Sequence, residues 1–63
     1  MQPPIVYIRE KTTWIYKQLV RDLATEGPAT DEDLNALGMQ GWELTAVITV
    51  SQAAYYYFKR LAD

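Results

Sequence analysis

Two glycines three residues apart, Gly38 and Gly41 in ALGMQGWEL, are the first feature of this 63-residue chain whose spacing suggests chemistry. A G-x-x-G turn can cradle a phosphate or clamp a nucleic-acid backbone. A phosphate loop needs its glycines where a helix opens, so that free N–H groups point at the anion. Here the glycines follow the leucines of a helical stretch and precede a strand. Met39 and Gln40 between them bring no positive charge for a clamp. Gly41 sits where a left-handed residue ends a helix. The pair therefore reads as punctuation.

The second candidate is the aromatic–basic run YYYFKR at residues 55–60. Aromatic side chains on a sheet, flanked by lysine and arginine, are how several folds stack bases. Tyr55, Tyr57 and Lys59, with Lys17, could line such a face. The plainer reading places Tyr56 and Phe58 in the core and gives the outer tyrosines to an interface between copies. Net charge is −2 and the pI is near 4.9, with no basic stripe, so nucleic acid is disfavoured as a partner.

Acidic residues could hold a cation or work as an acid–base pair. Asp31, Glu32 and Asp33 are consecutive and do not converge on one point, and the glycine and distant glutamate of a calcium loop are absent. A solvated helix start is the expected role. Nothing marks Glu26, Glu32 or Glu43 as a catalytic pair. Glu43 is the one charge inside the best strand, and it is expected to pair across the sheet with Lys17 or Lys59. The chain has no Cys and no His. Disulfides, thiolate metal sites and the commonest general base are excluded. Ser51, the threonines, lysines and tyrosines have no evident activating base. The expectation is a non-enzyme with no cofactor and no metal.

Length and composition then bound the frame. Sixty-three residues form one domain, with 1–12 as an N-terminal arm or extra edge strand. A core this small supplies only about 3–5 kcal/mol, and small domains compensate with disulfides, metals or self-association. Only the last is open here, so a homo-oligomer is expected, a dimer first. Hydrophobic content of 49% is too high for disorder. No apolar run reaches the ~20 residues of a membrane span, and MQPP does not resemble a secretory leader, so a cytoplasmic protein is expected.

The elements that position these residues follow from periodicity. Pro3 and Pro4 lead into IVYIRE, residues 5–10, which reads as a short strand. Residues 12–24 fit two patterns. As a strand, Trp14, Tyr16 and Val20 share one face, and Ile15, Lys17, Leu19 and Arg21 the other. As a helix, Ile15, Leu19 and Leu23 align, with Gly27 and Pro28 as stop signals. The WIY start favours a strand over the first part, with residues 22–29 as a loop. Thr30 is an N-cap for a helix of about three turns, and Thr30 to Asp33 has capping-box spacing. Leu34 and Leu37 form its apolar stripe, and Gly38 thins it for close approach to a sheet. In 42–50, Trp42, Leu44, Ala46, Ile48 and Val50 alternate with Glu43, Thr45, Val47 and Thr49. A short turn and YYYFKRL complete a hairpin, with Tyr56 and Phe58 on one face and Tyr55, Tyr57 and Leu61 on the other.

WIYKQLV (14–20), DLNALGMQGWELTAVITV (33–50) and YYYFKR (55–60) together resemble a small prokaryotic and phage family, catalogued as domain of unknown function 4177. Its members read W-x-Y-K, then L-x-x-L-G-x-x-G-W-E-L-V-x-V, then an aromatic strand ending F-K-R. The resemblance runs from Trp14 to Arg60. It implies a strand–helix–strand–strand order, and hence a strand at 14–20, and it implies no activity. The N-terminal MQPPIVYIREKT is longer than the family's usual start, and Thr45 stands where valine is common.

The expected fold is α+β: an antiparallel sheet of three strands, or four with residues 5–10, and one helix on one face. Trp14, Tyr16, Leu34, Leu37, Trp42, Leu44, Ile48, Tyr56 and Phe58 are the expected core. Ile15, Lys17, Leu19, Val47, Tyr55, Tyr57 and Lys59 form the expected interface or ligand face. The functional expectation is a structural or protein-interaction module. The alternative is a binder of a small anionic or nucleotide-like ligand, in a pocket between subunits lined by tyrosines, Lys59 and Arg60.

Overall fold

A computed structural model of the chain describes residues 12–62. The expected strand at 5–10, and the expected arm at 1–12 except for Thr12, lie outside them. The element order is β1 (Trp14–Asp22), α1 (Asp31–Gly38), β2 (Glu43–Val50) and β3 (Ala53–Leu61). The three strands form one antiparallel sheet in the order β1-β3-β2. The fold is α+β. β1 runs on through Asp22, so the tract with two periodicities is strand from Trp14 to Asp22, and Leu23 and Ala24 enter the turn that follows. Its nine residues all find partners on β3, from Trp14 opposite Leu61 to Asp22 opposite Ala53, and that ladder overrides the helical propensity of QLVRDL.

The helix start is built as its sequence dictates. Asp33 N–H donates to the Thr30 hydroxyl (3.2 Å), and Thr30 N–H donates to Asp33 Oδ2 (3.1 Å). Three acids fill the first turn, at the positive end of the helix dipole. Gly41 takes φ 90°, the left-handed conformation expected after the helix. The expected thinning role of Gly38 is corrected: a Cβ there would meet nothing within 4 Å. The helix is also shorter than expected, at eight residues.

The core is carried by alternate residues of the central strand. Ala54, Tyr56 and Phe58 are buried, and Leu19, Leu23, Ala29, Leu34, Leu37 and Trp42 pack on them. Register places Lys17 and Leu44 beside Phe58, Leu19 and Val47 beside Tyr56, and Arg21 and Thr49 beside Ala54, all on the helix side. The opposite, open side holds Trp14, Tyr16, Gln18 and Val20 of β1, with Ala46, Ile48 and Val50 of β2 and the odd-numbered residues of β3.

Two sequence expectations fail here for one reason each. Trp14, Tyr16 and Ile48 were expected in the core, yet they lie on the open side, 40%, 70% and 50% exposed. The helix packs over the face that carries Leu19, and an alternating strand cannot say which face that is. Leu44 is on the helix side but lies largely beyond the reach of the short helix, still 40% exposed. The unbroken alternation of 42–50 is also corrected. The register slips between Leu44 and Ala46, both Thr45 and Ala46 facing Tyr57, and the Thr45 hydroxyl donates to Tyr57 C=O (3.0 Å). This bulge puts Trp42 and Leu44 on the helix side, and Ala46, Ile48 and Val50 on the other.

Gly38 has an ordinary helical backbone and open space beside it, so the conformational freedom of glycine serves nothing there. Gly38→Ala is expected to stabilise the domain by about 0.5–1 kcal/mol, read as a higher midpoint in thermal unfolding. A lower midpoint would mean that the helix end needs glycine.

Candidate functional site

Charge is sorted along the strands. At the end where β1 finishes and α1 begins lie Asp22, Glu26, Asp31, Glu32 and Asp33, with Arg21 among them. At the other end lie Lys17, Lys59 and Arg60, with Glu43. The helix runs between the two, its acidic start at one end and its carbonyl end at the other.

At the acidic end Arg21 is a clamp. Its Nε donates to Gly27 C=O (3.2 Å), Nη2 to Glu26 C=O (3.3 Å) and Nη1 to Asp33 Oδ2 (3.2 Å). One guanidinium thus ties β1 to the loop and to the helix cap. Its contact with Asp33 is the one ion pair among the described residues. Tyr56 adds a second tie, its hydroxyl accepting the Ala29 N–H (3.0 Å). The Asp33 carboxyl is held below its usual 3.8, first by the Thr30 backbone N–H and then by the Thr30 hydroxyl, which together outweigh an opposing desolvation; the Arg21 charge adds the smallest pull.

At the basic end both tryptophans carry cations. Lys59 Nζ stands 4.2 Å from the Trp14 ring centroid on the open side. On the helix side, Arg60 Cζ lies 4.5 Å and Lys17 Nζ 5.3 Å from the Trp42 centroid. Arg60 Nη1 also donates to Gln40 C=O (3.0 Å), which fixes the turn after the helix against the sheet. Each stacked cation contributes about 0.5–1 kcal/mol at exposed sites, and none forms an ion pair with a carboxylate among the described residues. The expected Glu43 ion pair is corrected on the same ground. Glu43 does face Lys59 across the ladder, but the ammonium stands over Trp14 and makes no ion pair.

The expected interface face is divided by the sheet. Tyr55, Tyr57 and Lys59 are together on the open side, where Gln18 Nε2 donates to Tyr57 Oη (2.9 Å). Ile15, Lys17, Leu19 and Val47 are on the helix side, and Leu19 packs against the core. What joins Tyr55, Tyr57 and Lys59 is instead Trp14, Tyr16, Val20, Ile48, Val50 and Leu61. Sequence reading assigned the first two and Ile48 to the core, because large apolar strand residues look like core from either side. The pairing of each tryptophan with a cation had a fainter signal, the three basic residues on neighbouring rungs at one end of the β1–β3 ladder.

No group of three or more Cys, Asp or Glu among the described residues is placed to hold a metal. No helix among them is long and apolar enough to cross a membrane. No family model, no curated protein and no solved structure matches the chain.

The depressed Asp33 acidity gives a pH dependence of defined sign. A carboxyl whose folded pKa lies below its unfolded value stabilises the fold fully above about pH 4, and that stabilisation is lost as pH falls through the folded value. Asp33→Asn should therefore be less stable than wild type near neutrality, with the gap closing in denaturant titrations as pH is lowered below about 4. A gap independent of pH would contradict the role given to Asp33.

Proposed function

We propose that this chain is a non-catalytic, self-associating interaction module, and that its uncovered sheet face is the surface shared between copies, a dimer being the simplest form. One observation carries the reading: the side of the sheet away from the helix is apolar and aromatic across all three strands, with nothing among the described residues laid over it. Rows such as Val20–Tyr55–Ile48 and Gln18–Tyr57–Ala46 cross it without a charge, and charge enters only at its ends, with Asp22 and with Lys59 and Glu43.

Size supports the same reading. Three strands about 4.8 Å apart and some nine residues long make a face roughly 14 by 30 Å. That footprint, about 420 Å² before side-chain relief, is of the size of the largest apolar patch on a monomer, a patch that is often an interaction site. A two-fold pairing of the face with itself would bring aromatic rows together, without like charges opposed at its centre. The resemblance to domain of unknown function 4177 is consistent with such a module and adds no activity.

The test is sedimentation equilibrium or native mass spectrometry of the wild type and of Tyr57→Glu. Tyr57 is central on the face, so a buried carboxylate there should weaken association at least tenfold, with the strand and helix signals of circular dichroism unchanged. A wild-type chain that stays a monomer at about 100 μM, or a Tyr57→Glu variant of unchanged affinity, would overturn the reading.

A further inference from the structure

A notch opens at the basic end of the sheet, where β2 starts late. β2 begins at Glu43, opposite Lys59, while β3 continues to Leu61 with β1 still beside it. The ladder parity, with Ala62 N–H donating to Thr13 C=O on the β1 side, turns the N–H and C=O of Leu61 toward β2. No described residue of β2 or its lead-in pairs with them there. The space is a cavity of about 610 Å³ lined by Trp14, Ile15, Gln40, Gly41, Glu43, Lys59, Arg60 and Leu61. Its volume falls within the range of small-molecule sites, about 300–1,000 Å³.

We propose that this notch binds a small planar anion of the nucleoside-monophosphate kind. Lys59 and Arg60 supply the charge, and neither forms an ion pair with a carboxylate among the described residues. Arg60 is held ready by Gln40 C=O, and its remaining guanidinium N–H groups can meet an oxyanion in forked geometry. Lys59 is mobile by nature and can swing from the Trp14 ring to the anion, which frees an indole face for stacking against a planar ring. The Leu61 N–H, with no partner among the described residues, is a further donor, and the Glu43 carboxylate can accept from ring amino or hydroxyl groups while it opposes excess negative charge. The ligand alternative drawn from the sequence is thus placed at the sheet end, away from Tyr55 and Tyr57. It does not rest on self-association.

The experiment is a titration of the full chain at low salt with adenosine monophosphate, and in parallel with inorganic phosphate and with adenosine. It is followed by two-dimensional amide and indole NMR. The nucleotide is expected to shift the Trp14 indole and the amides of Gln40, Gly41 and Leu61, with each half-ligand at least tenfold weaker. Lys59→Gln should weaken binding about tenfold, and Glu43→Gln should strengthen it a few-fold, since it removes a like charge beside the anion. Arg60→Gln should also weaken it, and if that variant loses its fold the Lys59 and Glu43 variants decide alone. No shift at these positions by about 10 mM nucleotide, phosphate binding as tightly as the nucleotide, or indifference to both variants would each overturn the proposal. Sedimentation of the same samples reports self-association separately, so either idea can fail without the other.

Discussion

Everything in this fold hangs on β3 lying between the other two strands. A central strand must satisfy neighbours on both edges and has two faces to fill, and only one helix is available. The even-numbered residues Ala54, Tyr56 and Phe58 receive it and become the buried core. The odd-numbered Tyr55 and Tyr57 are left on the far side with no second layer among the described residues. α1 has eight residues and two leucines that reach the sheet, so even the helix side thins out toward Leu44 and Val47. The Tyr56 hydroxyl, accepting the Ala29 N–H, shows how hard the centre is worked: one residue fills the core and also anchors the loop into the helix. Removing the Phe58 ring would cost about 3–5 kcal/mol, on the order of the whole stability of so small a domain.

Much of this was legible in the sequence, and what escaped did so for definable reasons. Local chemistry was readable: Thr30 and Asp33 specify their own cap, Gly41 its positive φ, and the turn at Ser51 and Gln52 the closing hairpin. The parity of YYYFKRL was readable too, because Tyr56 and Phe58 fall together whatever they pack on. The polarity of the sheet was not. Trp14 and Tyr16 alternate with Ile15 and Leu19, and both sets are apolar enough to be core. Only the position of the helix breaks the tie. The bulge at Thr45 was hidden because WELTAVITV alternates as though it were regular, and a one-residue slip reverses every side chain beyond it. Arg21 read as one position on a strand face and Arg60 as lining of a ligand pocket, and their work as ties to Gly27, Asp33 and Gln40 depends on turns that only the folded chain brings near.

Charge sorting follows from the same architecture and gives the molecule two ends of different use. At the acidic end every charge is spent on structure: the helix start, the loop carbonyls and the guanidinium of Arg21 close a local network. At the basic end the cations rest on indole rings, an attraction that a desolvated anion can supplement or replace. The open aromatic face runs between these ends. A surface of this kind suits contact with another copy, while the half-buried cations Lys59 and Arg60 and the missing stretch of β2 suit recognition of something small. Neither requires a nucleophile or a metal.

The most direct measurement of whether the open face is covered is the fluorescence of Trp14, isolated by Trp42→Phe, as a function of protein concentration. Trp14 lies on that face and is 40% exposed in the single chain. If copies join through it, its emission should shift to shorter wavelength and become shielded from soluble quenchers as concentration rises, in step with the increase in mass. An emission that stays water-exposed while the chain associates would place the contact elsewhere, and one that never changes, with mass fixed at the monomer, would contradict the account.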